Sequence, residues 1–223
     1  MAIKFLIVSL SIFAFGCARI YYPALWNSVP PVSTPHVVRE NLAVFMSAHY
    51  NNSSGFYEGE LNNSYHLNLS LAGGGDFYKG SIGGFAYFGN YKEKYQQLSY
   101  FGFGFSPDVD IFVSLGVVDV GVGASSGIFG EFGDYTNFRR DRGDVLGGFP
   151  AEMGGFVFVY NFLQFNFSKN DKLALRVNFG LPGFISANLS FFNIKYGGLW
   201  VGSGIGENGN FEIASVGVSL KVK

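Results

Sequence analysis

The chain has 223 residues, of which 14% are charged and 18% aromatic, and its formal net charge is -1. Ordinary soluble proteins have about 25% charged residues, so this composition argues against a soluble domain with a charged surface. The balanced charge argues equally against a nucleic-acid-binding surface.

The first sixteen residues have the organisation of a bacterial signal peptide. Lys4 precedes an apolar stretch of about a dozen residues, which is too short to span a membrane as a helix. The stretch ends in Ala14-Phe15-Gly16-Cys17, and this single cysteine excludes an internal disulfide. The ending resembles a lipobox, in which a small residue precedes a cysteine that becomes lipidated. The resemblance implies a signal peptide over 1–16 and a lipid on Cys17; the alternative is ordinary signal cleavage with an incidental cysteine.

Residues 17–37 are rich in proline, which removes a backbone donor and stiffens an extended chain. Four of the seven prolines lie here: Pro23, Pro30, Pro31 and Pro35. The stretch is predicted to be a lipid-anchored tether that precedes a folded domain over 38–223. Its aromatic residues Tyr21, Tyr22 and Trp26 are expected at the membrane interface.

From residue 38 onward, apolar residues alternate with small or polar ones. In 65–71, three leucines share one face, while His66, Asn68 and Ser70 share the other. The same alternation recurs in 100–105, 163–168, 172–180 and 215–222. This period of two is typical of β-strands. The second face holds Gly, Ser, Asn and Ala, which suit the lumen of a membrane barrel better than a water-facing surface.

Ten strands are favoured, within a range of eight to ten: 38–50, 64–72, 77–90, 96–106, 109–122, 153–167, 172–180, 184–195, 198–205 and 211–222. Tight turns are predicted at 73–76, at Pro107-Asp108 and at 168–171, and long loops at 51–63 and 123–152. Short turns at one end and long loops at the other are typical of outer-membrane barrels. A register change in 109–122 predicts a bulge near Gly116 that turns Asp119 inward.

The pattern over 38–223 resembles the small bacterial outer-membrane β-barrels of eight to ten strands. The resemblance implies an all-β, closed antiparallel transmembrane barrel in contact with outer-membrane lipid. An even number of strands leaves both ends in the periplasm, so a periplasmic N-terminus is expected. No cofactor and no nucleic-acid partner is predicted.

Catalytic residues are sparse. Barrel hydrolases need a nucleophile or an activated water, with a histidine and an acid or amide nearby. His36 falls in the tether, while His49 and His66 fall on the polar faces of the first two strands, with no acid placed to orient them. Two histidines also fall short of the three or four ligands of a zinc site. A non-catalytic barrel is therefore predicted, with a barrel hydrolase as one alternative.

Six charged residues are predicted to face the lumen: Lys79, Asp110, Asp119, Arg176, Lys195 and Lys221. In a narrow barrel they would pair and plug the interior, and in a wider one they would line a pore and set its selectivity. The charged loop 123–152 is a candidate site for an external ligand. The barrel is predicted to have a structural role, to act as a small-solute pore or to have a surface-exposed role. Besides the barrel hydrolase, the alternative is a periplasmic or surface-tethered lipocalin-like barrel that binds an apolar ligand.

Overall fold

Ten antiparallel strands form a closed barrel in the computed structural model, which describes residues 21–28, 33–38, 42–55, 59–142, 150–181, 184–206 and 213–222. Each strand pairs with its neighbours in sequence, and β1 pairs with β10, so the sheet closes on itself. The strands are β1 (Ala43–Ser54), β2 (Leu61–Gly74), β3 (Tyr78–Glu93), β4 (Gln96–Leu115), β5 (Val118–Phe132), β6 (Met153–Asn166), β7 (Asp171–Leu181), β8 (Phe184–Asn193), β9 (Gly197–Gly206) and β10 (Ile213–Lys221). The predicted closed ten-stranded barrel is confirmed.

Large apolar side chains point out of the barrel, and small or polar side chains point in. Along β2, Leu67 and Leu69 are 53% and 55% exposed, whereas His66 and Asn68 are 3% and 9% exposed. β4 repeats the alternation, with exposed phenylalanines on one face and buried or half-buried residues on the other. An apolar outer wall around a polar lumen is the arrangement of an outer-membrane barrel. It is the reverse of a lipocalin-like cup, which is thereby excluded.

The two ends of the barrel differ in their connections. At one end, β1 begins, β10 ends, and short turns at 75–77, 116–117, 167–170 and 194–196 join successive strands. The other end carries the long connection 133–152. Short turns lie on the periplasmic side of outer-membrane barrels, so we call the first end the periplasmic end and the second the loop end.

The β4–β5 boundary differs from the prediction. Pro107 and Asp108 do not form a turn but lie inside β4, which continues to Leu115. The turn falls at Gly116, whose φ of 71° favours glycine. β5 then runs through 118–132, so the predicted bulge near Gly116 and the loop over 123–132 were wrong. Proline followed by aspartate is a common turn signal. Here Pro107, which has no backbone N–H, lies at a position of β4 that has no backbone pairing with β5.

Two helices accompany the strands in the part of the chain that the structure describes. Ala24–Asn27 form one turn of 3-10 helix, and α1 (Asp134–Asp141) lies at the loop end after β5. α1 has Asp134 in its first turn and Arg139 and Arg140 in its last. These charges stabilise the helix because they interact favourably with its dipole. Within the described ranges, no helix is long and apolar enough to cross a membrane.

Candidate functional site

The lumen is occupied by the chain's own N-terminal segment, and we call residues 21–28 together with 33–38 the plug. Tyr21, Ala24 and Asn27 are at most 3% exposed, and His36 is 1% exposed. The Tyr21 hydroxyl donates a hydrogen bond to Glu93 Oε1 at 3.2 Å. Tyr21 therefore lies inside the barrel and not at the membrane interface, and the described part of the predicted tether is packed against the lumen wall.

At the loop end, the plug backbone binds a buried ion pair. Glu131, at the end of β5, is fully buried, and its Oε1 lies 2.7 Å from Arg139 Nη1 of α1. Glu131 Oε2 accepts hydrogen bonds from the Ala24 backbone N–H at 2.8 Å and from the Tyr87 hydroxyl at 3.2 Å. Arg139 Nε in turn donates to the Tyr21 carbonyl at 3.2 Å. The ion pair thus binds the plug at two backbone positions.

α1 makes a further contact with the plug through Tyr135. The Tyr135 hydroxyl donates to the Tyr22 carbonyl oxygen at 2.8 Å, and its ring stacks on Tyr91 with centroids 4.3 Å apart. Burial raises the pKa of Tyr135 well above its ordinary value. The phenol therefore stays protonated and remains a donor over the physiological pH range.

In the middle of the lumen, the strands that close the barrel bind the plug through hydroxyl and amide side chains. The Asn27 carbonyl oxygen accepts hydrogen bonds from Asn51 Nδ2 at 3.0 Å and from Ser53 Oγ at 2.8 Å. The Ser33 Oγ accepts from Ser47 Oγ at 3.1 Å, and its carbonyl oxygen accepts from a β10 hydroxyl at 2.6 Å. These contacts fix the plug against β1 and β10.

Toward the periplasmic end, the plug meets a buried charge cluster. Lys79 Nζ lies 2.9 Å from Asp110 Oδ2 and 3.2 Å from Asp108 Oδ1. The same ammonium donates to Thr34 Oγ1 at 3.0 Å, and His36 Nδ1 lies 3.4 Å from Asp110 Oδ2. Two plug side chains are therefore bound directly to charged wall residues.

Aromatic rings complete this cluster. The Tyr160 hydroxyl oxygen lies 2.5 Å from Asp110 Oδ1 and 2.6 Å from Asp108 Oδ2, so its single proton is within hydrogen-bond reach of both carboxylates. The Arg176 guanidinium lies 3.6 Å from the centre of the Tyr160 ring, a cation–π contact. The His36 ring stacks on Phe162 with centroids 4.2 Å apart. We call Lys79, Asp108, Asp110 and Tyr160 the Asp110 cluster.

Four of the six predicted lumen charges lie inside the barrel. Lys79, Asp110, Asp119 and Arg176 are buried inside the barrel, and Lys79 and Asp110 are in contact. Asp119 accepts hydrogen bonds from Ser114 and from the amides of Gln164 and Asn166 near the periplasmic end.

Two of the predicted lumen charges lie at the periplasmic end of the wall. Lys195 is exposed in the turn 194–196, because β8 ends at Asn193 and not at 195 as predicted. The prediction that Lys195 points inward is therefore corrected. Lys221 is half-buried at the end of β10, where it pairs in register with Phe45.

The two strand histidines are brought together. His49 and His66 face each other across β1 and β2, and their rings stack with centroids 4.2 Å apart. Ser64 Oγ lies 2.7 Å from His66 Nε2. Among the described contacts, neither ring nitrogen of His49 has a hydrogen-bond partner. The part of the chain that the structure describes also contains no group of three or more His, Cys, Asp or Glu that could hold a metal ion.

A cavity remains between the plug and the wall. It is about 90 Å³ in volume and is lined by plug residues such as Trp26 and Thr34 and by wall residues such as Lys79, Asp108 and Phe156. An apolar cavity of ~150 Å³ is known to hold benzene. The space beside the plug is therefore small, with room for several water molecules or, after some adjustment, one ring.

Similar proteins are found by structure and not by sequence. No family model and no curated protein matches the chain. Neisserial surface protein A is similar at 12% identity, with 82% of this chain and 97% of that chain covered and a TM-score of 0.43. The β domain of the Bordetella autotransporter Brka is 10% identical, with coverages of 82% and 99% and a TM-score of 0.44. OprG from Pseudomonas aeruginosa is 10% identical, with coverages of 82% and 96% and a TM-score of 0.41. Similarity at this level carries no information about activity.

Several residues that bind the plug were not predicted. Glu131 follows Asp119 by an even number of residues, and Asp108 precedes Asp110 by two, so strand parity places each pair on one face. The assignment of 107–108 as a turn and of 123–152 as a loop concealed this signal. Arg139 and Tyr160 had no sequence signal, because their roles depend on contacts between distant segments.

Removing the charge of Glu131 is expected to destabilise the fold, because Arg139 would remain buried without a counter-charge. Breaking a buried ion pair at one partner costs about 3–5 kcal/mol. Glu131→Gln should lower the free energy of unfolding by about that amount in urea titrations of the barrel in lipid vesicles.

The exposed pair Arg140–Glu152, with N and O 2.9 Å apart, provides the control for this variant. Arg140→Gln should change the same free energy by less than about 1 kcal/mol. Equal effects of the two variants would contradict a buried ion pair at Glu131.

Proposed function

We propose that the protein is a non-catalytic outer-membrane barrel whose lumen is a small-solute pore closed by its own plug. One observation carries the proposal: at both ends and in the middle of its course, the plug is bound to polar and charged wall residues by hydrogen bonds, beside the apolar packing of Tyr21, Ala24, Val37 and Val38. Water can replace such contacts, so the net contribution of each neutral hydrogen bond is only about 0.5–1.5 kcal/mol. Each of these polar contacts can therefore be exchanged for water when the plug leaves.

The lumen wall beneath the plug has the character of a pore lining. Serine, asparagine and charged side chains face inward from β1, β2, β4 and β7. In the Asp110 cluster and beside it, two carboxylates are balanced by Lys79 and Arg176. Rings of one sign of charge set ionic selectivity. The open pore is therefore expected to discriminate only weakly between small cations and anions.

Locking the plug with a disulfide tests the proposal. The Oγ atoms of Ser33 and Ser47 are 3.1 Å apart, which suits replacement of both residues by cysteine. In a Cys17→Ser background, Ser33→Cys/Ser47→Cys should show single-channel openings in planar bilayers when reduced and none when oxidised. Ser47→Cys alone should not respond to oxidant. Identical conductance of the double variant in both redox states would contradict a plug that gates the pore.

We also propose that Cys17 carries a lipid, as its lipobox-like context implies; residues 1–20 lie outside the described residues. Incorporation of labelled palmitate into the full chain, and its loss in Cys17→Ser, would support the anchor. Absence of label in the unmodified chain would favour ordinary signal cleavage.

The course of the plug favours an N-terminus outside the cell. Tyr21 lies beside Glu93 at the loop end, while Val38 packs on Ala43 and Ala72 at the periplasmic end. Tyr21 is thus the described plug residue nearest the loop end, and we propose from this that the N-terminus is exposed on the cell surface. This differs from the periplasmic N-terminus expected from the strand count, because the N-terminal segment runs through the lumen before β1 begins.

A further inference from the structure

The backbone pairing of the barrel wall is interrupted between β4 and β5, while the register on the two sides of the interruption is the same. The register pairs Phe105 with Ile128 and Asp108 with Ser125. Between these two pairs, the described strands have no backbone pairing at 106–107 of β4 or at 126–127 of β5. The β3–β4 ladder, by contrast, continues through Pro107. A residue of an antiparallel strand directs its nitrogen and oxygen toward the same neighbour. Ser125 Oγ donates to the Pro107 carbonyl at 3.4 Å, so the donor-less nitrogen of Pro107 also faces β5.

Small residues surround this break. Ser106 and Gly127 face inward, Ser126 and Gly155 face outward, and none of them carries a side chain large enough to cover the gap. The ring of Phe156 lies directly against Gly127 on the lumen side, where a Cβ atom would collide with it. On the lumen side, the break is thus closed by this ring and by the contact between Ser106 Oγ and Ser125 Oγ, which lie 3.3 Å apart.

An apolar groove on the lipid-facing side lies over the break and reaches the plug. Its lining includes Phe105, Pro107 and Ile128 on the outer surface together with Trp26. The Trp26 side chain is only partly buried, and its indole N–H donates to the Gly155 carbonyl at 3.0 Å. Trp26 and Phe156 also line the internal cavity. The same two rings thus border both the groove and the cavity.

We propose that the break at Pro107 is a lateral entry site through which a small, neutral aromatic molecule dissolved in the membrane reaches the internal cavity. The cavity presents the aromatic faces of Trp26, Phe85, Phe156 and Phe158, which favour stacked or edge-to-face contact with another ring.

The charge and size of the cavity define the class of molecule. Its charged lining residues are Lys79, Asp108 and Arg176, and Asp110 lies 2.9 Å from Lys79, so the charges balance and a neutral molecule is favoured. The volume of about 90 Å³ limits the molecule to about one ring. The inference rests on the membrane-spanning barrel of the proposed function but not on plug release, so its test is independent of conductance.

Fluorescence of Trp26 provides the test. The chain has two tryptophans, so Trp200→Phe leaves Trp26 as the sole reporter. Nitrobenzene, a neutral aromatic quencher, is titrated into vesicles that contain the folded barrel. Quenching should saturate, as expected for a site. Ser126→Phe, which fills the groove from the outside, should slow the onset of quenching after rapid mixing about tenfold, because the added ring obstructs entry. Ala187→Phe, on the outer face of β8, is the matched control and should leave the rate of onset unchanged.

Three results would overturn the proposal: quenching that rises linearly without saturation, equal rates of onset in Ser126→Phe and the parent, or quenching of Trp26 by brominated acyl chains with no saturable nitrobenzene component. The last result would assign the groove to a lipid chain. If Trp200→Phe does not show the heat-modifiable migration of a folded barrel, the difference between the unmodified chain and Trp26→Phe gives the same readout. Trp200 is 1% exposed and should not respond.

Discussion

Replacing Lys79 with methionine is expected to shift the barrel strongly from its closed form toward its open form. Lys79 balances Asp108 and Asp110 and donates to Thr34 of the plug. Methionine preserves much of the side-chain length but removes the charge, so two carboxylates remain in a buried site without their ammonium partner. Loss of one partner of a buried pair costs about 3–5 kcal/mol.

Much of this cost can be relieved if the plug leaves and water enters, because water then solvates the two carboxylates. A relief of about 3 kcal/mol corresponds to roughly a hundredfold increase in the ratio of open to closed barrels. Liposome swelling in a small neutral sugar should therefore be much faster for Lys79→Met than for the unmodified chain. Lys169→Met is the matched control, since it makes the same change of net charge in an exposed turn. Equal swelling rates for the two variants would contradict the role of the Asp110 cluster.

An epitope inserted between residues 19 and 20 is expected to be accessible on the surface of intact cells. Tyr21 lies at the loop end, bound to Glu93 and Arg139, and the chain extends at most about 3.3–3.6 Å per residue. An epitope so near to Tyr21 in sequence should therefore be reached from that side of the membrane. Antibody binding to whole cells measures this position.

The same epitope placed after Lys223 is the control for orientation. Val222 donates its backbone N–H to the Val44 carbonyl at 2.8 Å, which places the C-terminus at the periplasmic end. That epitope should be accessible only after the outer membrane is permeabilised. If the N-terminal epitope also requires permeabilisation, the proposed direction of the plug is wrong.

The strand faces could be predicted because a membrane barrel imposes one simple alternation on the sequence. Leu67, Leu69 and Leu71 must meet lipid, so their positions fix the orientation of β2 and, through pairing, of its neighbours. Strand ends were less predictable. Proline and glycine are both common in turns, so the sequence does not show which of Pro107 and Gly116 ends β4. Pro107 lies within β4 at a position where the β4–β5 ladder has no backbone pairing, and the turn falls at Gly116.

The plug could not be predicted from local pattern. Proline-rich sequence suits an extended tether and a segment threaded through a lumen equally well, since both lack ladder partners. What distinguishes them is long-range: the Ala24 N–H binds Glu131, and Thr34 binds Lys79. Glu131 was assigned to the loop 123–152, and Lys79 was predicted to face the lumen but without a partner from the N-terminal segment.

Hydrogen–deuterium exchange of the plug in vesicle-embedded barrels tests most directly whether the plug fills the lumen. The Ala24 N–H donates to Glu131, and the N–H groups of Trp26 and Ser28 donate to carbonyls of the 3-10 turn. In fragments covering 21–28, these amides should exchange at least ~100-fold more slowly than in an unfolded peptide. Exchange at the unfolded rate, with the strand amides protected in the same sample, would contradict a plug inside the barrel.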